Sequence, residues 1–389
     1  MLTEVFNQID ELFDETVEIR RYLHMHPELS FKEYETAKYI ANYYEKLGIP
    51  YVANVGGNGV IARLKGNIEG KTIALRADFD ALPIQDEKDV PYKSTVEGVM
   101  HACGHDGHTA TLLTLAKALL EHKDKLRGTV VFIHQHAEEL APGGAKPIIE
   151  SGELDDIDAI FGTHLWATEP VGVLQVSKDA LMAGADRFEI HIQGQGGHGA
   201  APHETKDSIM VGTQIVTQIQ QIVSRRISPL DTAVVTVGTF HAGSAFNVIA
   251  DTAVITGTVR YLDEKVQQKV IEELEAIING VCQSFHATYD LKYEKGYPPV
   301  INHADAAEVI LNMKDTVPGI DAIDEVKPVM GGEDFAYYLH EKPGAYFFTG
   351  ANKPGNDYPH HHPKFDFDEE AMKIAAKSLI AAYEIYQDK

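Results

Sequence analysis

Only two of the 389 residues are cysteine, Cys103 and Cys282. That excludes a disulfide framework and suits a reducing cytosol. Long apolar runs are missing as well, and none approaches the roughly 18–20 residues that a membrane span needs. The amino-terminal MLTEVFNQIDELFDE is acidic and amphipathic. It lacks the basic start and apolar centre of a secretory signal, so the expected location is the cytoplasm. Positive charge is scarce, with 34 Lys and Arg against 58 Asp and Glu, a net charge of −24. A surface of that sign repels nucleic acid and anionic membranes, so neither is an expected partner. Repeats and low-complexity stretches are also absent.

What is present in excess is histidine. Its 19 copies cluster at 101, 105 and 108, at 134 and 136, and at 360–362. The densest stretch is Met-His-Ala-Cys-Gly-His-Asp-Gly-His at 100–108. There a thiol, three imidazoles and a carboxylate offer soft and hard donors to a transition-metal ion. No second Cys pair follows at a zinc-finger spacing, so the remaining ligands must come from elsewhere. Its two glycines place the donors on a loop, and the apolar run from Thr109 predicts a helix directly after it.

At 389 residues the chain is long for one hydrophobic core, and two domains are expected. Apolar side chains at Val5, Ile9, Leu12, Phe13, Ile19 and Leu23 predict one helix over 5–25. Ser30 with Glu33 forms a capping-box pattern that opens a second, closed by Gly48 and Pro50. Strand-like runs at 60–64, 72–77, 129–134 and 159–165 alternate with helical ones, the pattern of an α/β sheet flanked by helices. Between about 183 and 295 the order becomes β-α-β-β-α-β, a ferredoxin-like α+β arrangement. After Gly296 the α/β character resumes. The expected organisation is therefore a catalytic domain of 1–182 and 296–389 interrupted by a small domain of 183–295.

Four further segments carry chemistry. Asp78 and Asp80 end a strand on one face, where a carboxylate can ligate or orient a ligating imidazole. Glu138 and Glu139 end another strand. Being adjacent they point apart, so one can hold a metal while the other moves a proton. His164 sits at a strand end, and at least one of His360, His361 and His362 is expected to ligate. Gly194–Gly199 matches a dinucleotide-binding glycine pattern. However, Pro202 interrupts the helix start and no acid ends the next strand, which argues against a nucleotide.

With these residues in view, the chain resembles the metallo-amidohydrolase and aminoacylase peptidase family, which includes hippurate hydrolases and indole-acetyl-amino-acid hydrolases. The resemblance covers nearly the whole chain and rests on motifs in the family's order. They are HPELSFKEYETAKYI (26–40), RADFDALPI (76–84), MHACGHDGHTATLL (100–113), AEELAPGGAKPIIESG (137–152) and GTHLW (162–166). They continue with GQGGHGAAPHETKD (194–207), FNVIADTAVITGTVR (246–260), MGGEDFAYY (330–338) and HHPKFDFDEEAM (361–372). The strand before the Glu pair departs from it, reading His-Gln-His where relatives more often have Phe-Gln-Pro. Asp86 stands where they usually have Glu.

The resemblance implies two divalent metal ions per subunit, Mn or Zn, held by Cys103, His105, Glu139, His164 and His361. It implies Glu138 as general base and Asp80 as the acid that supports the metal centre. It also implies that the inserted domain acts as a dimerisation or lid domain in a homodimer, with His198 reaching the neighbouring subunit's site. Asn247, Arg260 and the glycine loop at Gly332 would meet the substrate. The implied reaction is hydrolysis of N-acyl amino acids, of N-acetyl or N-benzoyl type, to a carboxylic acid and a free amino acid. A dipeptidase or a deacetylase of an acetylated diaminopimelate is the alternative enzyme. A non-catalytic metal-binding or scaffold protein is the alternative of another class.

Overall fold

The computed structural model describes residues 1–389, which divide into two compact units. The larger comprises Met1–Leu181, Val300–Pro328 and Asp334–Lys389; the smaller comprises Met182–Pro299 and Val329–Glu333. No helix is long and apolar enough to cross a membrane.

The larger unit is built on an eight-stranded mixed sheet. In spatial order its strands are Tyr51–Val55, Gly59–Lys65, Arg127–Gln135, Ile68–Asp78, Ala159–Trp166, Gly344–Gly350, Val173–Val176 and Ala322–Glu325. The central strands run parallel and read as near-continuous apolar stretches, because helices cover both faces. The helix His105–Glu121 packs on one of them. It has no polar face, and every residue from His105 to Ala116 is buried. The ends of three parallel strands, at Asp78, Gln135 and Trp166, carry the loops that position the site, as parallel sheets commonly do.

Three local expectations are corrected. The single helix over 5–25 is two, Leu2–Glu11 and Phe13–Met25, broken at Leu12 (φ −85°, ψ 3°). The capping box does not form. Helix Tyr34–Leu47 is instead capped by Glu28, whose carboxylate accepts from Thr36 N (2.8 Å) and Thr36 Oγ1 (2.9 Å). Ser30 and Glu33 are thereby released for other partners: Ser30 donates to Asp80 Oδ2 (2.7 Å), and Glu33 accepts from Ala137 N (2.9 Å). Finally, the metal-motif helix starts at His105, not Thr109. Gly104 at φ +95° makes the turn into it, a conformation glycine adopts without strain.

The smaller unit is a four-stranded antiparallel sheet in the order Ala233–Ala242, Thr252–Tyr261, Gly184–Gln193, Thr288–Tyr297. Helices Ser208–Gln221 and Glu264–Ser284 cover one face, and Ile215, Ile219, Leu274 and Ile278 pack against Phe188, Ile190 and Ile255. Chain order and spatial order together are those of a ferredoxin-like β-α-β-β-α-β unit. Asp186 is a deeply buried carboxylate within this sheet. It is satisfied by Gln267 Nε2 (2.6 Å), Tyr293 OH (2.7 Å) and Gly296 N (3.0 Å).

Candidate metal centre

Donors from four separated segments converge beside the start of helix His105–Glu121. The ligand atoms of Cys103, His105 and His164 lie within 4.8 Å of one another. So do those of Cys103, Glu139 and His361, and those of His105, Glu138 and Glu139. Cys103 and His105 belong to two of these groups each, so the three form one continuous cluster.

The imidazoles are set up for coordination by what holds their other nitrogen. His164 Nδ1 donates to the carbonyl of Leu165 (3.0 Å), which leaves Nε2 as the unprotonated atom, 3.4 Å from Cys103 Sγ. His105 Nδ1 donates to Asp80, at 3.1 Å from both Oδ1 and the backbone carbonyl. Its Nε2 is buried with no hydrogen-bond partner. Around that atom stand Asp78 Oδ2 (3.8 Å), Glu139 Oε1 (3.8 Å) and Glu138 Oε2 (4.0 Å). These separations are too long for hydrogen bonds and suit ligands placed on opposite sides of an ion. A buried nitrogen without a partner, ringed by carboxylates and a thiol, fits a divalent cation.

Protonation gives the same reading. Burial opposes charge on His105, but Asp78, Asp80 and Glu139 outweigh it and raise the imidazole to about 10. Burial, with Glu139, Glu138 and Asp78 close by, pushes the Cys103 thiol well up. Without a cation the site therefore carries protons on both, and a metal must displace them to bind. We expect bound metal to protect Cys103 from alkylation. After chelation, labelling should accelerate as the pH is raised, because the neutral thiol has to ionise first. Cys282, buried in its helix, serves as the control. Equal labelling of Cys103 with and without metal would remove it from the ligand set.

Asp80 joins the parts. Oδ1 orients His105, while Oδ2 accepts from Ser30 Oγ and from the backbone N of Glu139 (2.9 Å). Of the donor-rich stretch, Cys103 and His105 enter the cluster, and His108 groups with His105 and Asp78. His108 is used at both nitrogens, donating from Nδ1 to Asp78 Oδ1 (2.6 Å) and accepting at Nε2 from Leu165 N (2.9 Å). Asp106 turns away to Arg20 (2.9 Å) and His24 (2.8 Å). His101 is buried, and burial pushes it down to about 4, which keeps it neutral. Among the C-terminal histidines, His361 Nε2 lies 3.3 Å from Glu139 Oε1. His360 accepts at Nε2 from Ala167 N (3.2 Å) and has its Nδ1 3.9 Å from Cys103 Sγ, while His362 accepts from Lys364 N (3.0 Å) and stacks on Tyr358. His134 hydrogen-bonds Tyr44 OH (2.8 Å) in the core and belongs to no donor group.

Several functional supports were not read from the sequence. Arg20, fully buried, donates to Asp106, to Asp366 (2.8 Å) and to Glu369 (3.1 Å). It thus ties the turn that carries His105 to the segment that follows His361. Breaking such a buried set costs about 3–5 kcal/mol, so Arg20 is a structural anchor. An Arg in a helix with no acid at i±4 was the available signal, since an unpaired cation on an amphipathic helix needs a distant partner.

His198, Asn247, Arg260 and Gly332 all lie in the smaller unit. His198 sits on the short strand Gly197–His198, paired with Val248–Ile249, and is exposed. Its Nδ1 accepts from Ala200 N (3.0 Å), so Nε2 carries the proton. Asn247 accepts at its backbone carbonyl from Gly199 N (2.9 Å), which keeps it next to His198. Arg260 is half-buried in the sheet and donates to Thr258 Oγ1 and Val259 O.

Comparison with known proteins places this geometry in context. The model of Peptidase family M20/M25/M40 matches residues 74–384. The chain is 55% identical to the Bacillus subtilis protein YhaA over 97% of this chain and 96% of that one. It is 44% identical to an N-acyl-L-amino acid amidohydrolase of Geobacillus stearothermophilus, over 77% of this chain and 81% of the relative. Among solved structures, Bacillus subtilis YXEP, described as a dinuclear metal-binding peptidase, superposes with a TM-score of 0.85. It is 36% identical, over 97% of this chain and 99% of that one.

Proposed function

The chain belongs to Peptidase family M20/M25/M40 and is a metal-dependent amidohydrolase of it. From that premise we propose that it hydrolyses N-acyl amino acids, of N-acetyl or N-benzoyl type, to a carboxylic acid and a free amino acid. The observation that carries the reading is the buried, partnerless Nε2 of His105, encircled by Cys103, Glu139 and Glu138. Cys103, His105, Glu139, His164 and His361 would hold the metal pair. When bound, two divalent ions would supply Lewis acidity and lower the pKa of a water held at the site.

The chain's own groups do the rest. Glu138 takes the proton from the attacking water and returns it to the leaving amine. Asp80 keeps His105 in one tautomer and holds the backbone of Glu139, so the two acids retain separate roles. We assign His198 Nε2–H to the oxyanion that develops in the transition state, donated from a neighbouring subunit. Arg260 would take the substrate's carboxylate, with Asn247 and Gly332 lining the approach. A homodimer accords with the exposed apolar side chains of the smaller unit, Phe246 at 102% and Leu230 at 94%, beside the open sheet edge Ala233–Ala242. Two unpaired cysteines, one of them a ligand candidate, accord with a cytoplasmic setting.

The test is reconstitution. Chelated protein should be inactive, and Mn²⁺ or Zn²⁺ should restore turnover of N-acetyl or N-benzoyl amino acids in preference to unblocked dipeptides. Activity that persists in fully metal-free protein, or turnover of dipeptides alone, would overturn the proposal.

A further inference from the structure

The segment between the first helices and the sheet makes contacts that neither the metal nor the substrate reading uses. Ala137 immediately precedes the two glutamates and has a left-handed backbone, φ +53°, although it carries a side chain. Residues with a Cβ avoid that region and occupy it only when surrounding groups hold them there. What holds Ala137 is Glu33: its Oε1 accepts the Ala137 N–H at 2.9 Å, and its Oε2 is fixed by Asn58 Nδ2 at 3.0 Å. Glu33 is fully buried, and the three groups lie in one compact unit. Phe31, itself at φ +65°, sets its ring edge-on to His136, the residue before Ala137, at 6.0 Å.

We propose that Glu33 is a positioning residue for the reaction. By fixing the Ala137 N–H it holds the left-handed turn that sends Glu138 and Glu139 in different directions, and so sets where the Glu138 carboxylate points. The inference rests on Glu138 being the general base. It assigns Glu33 a role through the reach of its side chain, not through its charge.

Reach and charge can be separated with two near-isosteric variants. Glu33→Asp keeps the charge but is one methylene too short to meet Ala137 N. Glu33→Gln keeps the reach and an accepting carbonyl oxygen, and Asn58 can rotate its amide to accept from the new NH₂. Both would be compared with wild type for metal content, for kcat and KM on an N-acetyl amino acid, and for amide hydrogen exchange in the peptide spanning 136–139. In Glu33→Asp we expect kcat to fall by about 10–10², the scale of a small misplacement of a reacting group. KM should stay within about threefold, metal content should be unchanged, and one amide should exchange faster. Glu33→Gln should keep the slow amide and most of kcat. Loss in Glu33→Gln equal to that in Glu33→Asp would overturn the proposal, as would an unchanged amide and kcat in Glu33→Asp. Exchange is read without turnover, so a failure of the general-base assignment, seen as activity surviving in Glu138→Gln, is distinguished from a failure of the Glu33–Ala137 contact.

Discussion

Glu138→Gln should leave metal content at the wild-type level while kcat falls by about 10²–10⁴, the usual contribution of a general base. Glu138 and Glu139 follow one another in sequence, and their carboxylates approach His105 Nε2 to 4.0 and 3.8 Å. Distance to His105 alone does not separate them. What does is that Glu139 also belongs to the group with Cys103 and His361, whereas Glu138 does not. Glu139 therefore stands where a ligand can join both halves of the cluster, whereas Glu138 shares no donor group with Cys103 or His361. Replacing Glu138 by its neutral isostere removes the proton acceptor and leaves the donors in place. Metal loss in Glu138→Gln equal to that in Glu139→Gln would reverse the two roles, and unchanged kcat would remove Glu138 from the chemistry.

His198→Ala is expected to lower kcat by about 10²–10³, the effect of losing one donor to a developing oxyanion. The more telling result concerns mixtures. If His198 completes the site of a neighbouring subunit, a His198→Ala chain paired with a Glu138→Gln chain forms one site with both residues intact and one with neither. Random assortment makes about half of the dimers hybrid, and activity should recover to about one quarter of wild type. Size-exclusion of tagged and untagged chains would establish subunit exchange first. Activity that stays at the mutants' background after confirmed exchange would place His198 in its own subunit's chemistry or outside the reaction.

Legibility in the sequence followed the range of the interactions. Alternating apolar runs gave the α/β character, since parallel strands covered on both faces must read as continuous hydrophobic segments. Cys103 and His105 stood out because donors crowded on one loop beside glycines are rare unless used, whereas Glu139 and His164, at strand ends, came as ligands from the resemblance. His361 was separable from its neighbours only through the resemblance. In the structure His361 Nε2 lies 3.3 Å from Glu139 Oε1, while His360 accepts from Ala167 N at Nε2 and has its Nδ1 3.9 Å from Cys103 Sγ. The supports were hidden. Ser30 and Glu33 imitate a capping box at the right spacing, and nothing local reveals that their partners are Asp80 and Ala137, 50 and 104 residues away. Asp106 looked like a ligand by proximity to His105. In a helix, however, successive side chains diverge by about 100°, so a neighbour in sequence faces elsewhere.

The strand Gly344–Gly350 lies inside the large sheet, between Ala159–Trp166 and Val173–Val176, yet it is made almost last. As the chain leaves the ribosome, Ala159–Trp166 must wait with one edge unpaired while nearly two hundred residues, the whole smaller unit among them, are synthesised. Pairings of such long sequence separation are slow to close. His361, reached only after that strand is placed, arrives later still. The donor cluster is therefore complete only once that last strand has been placed. Nascent chains stalled before residue 344 should be soluble through the smaller unit but sensitive to protease throughout the larger one, with or without added metal.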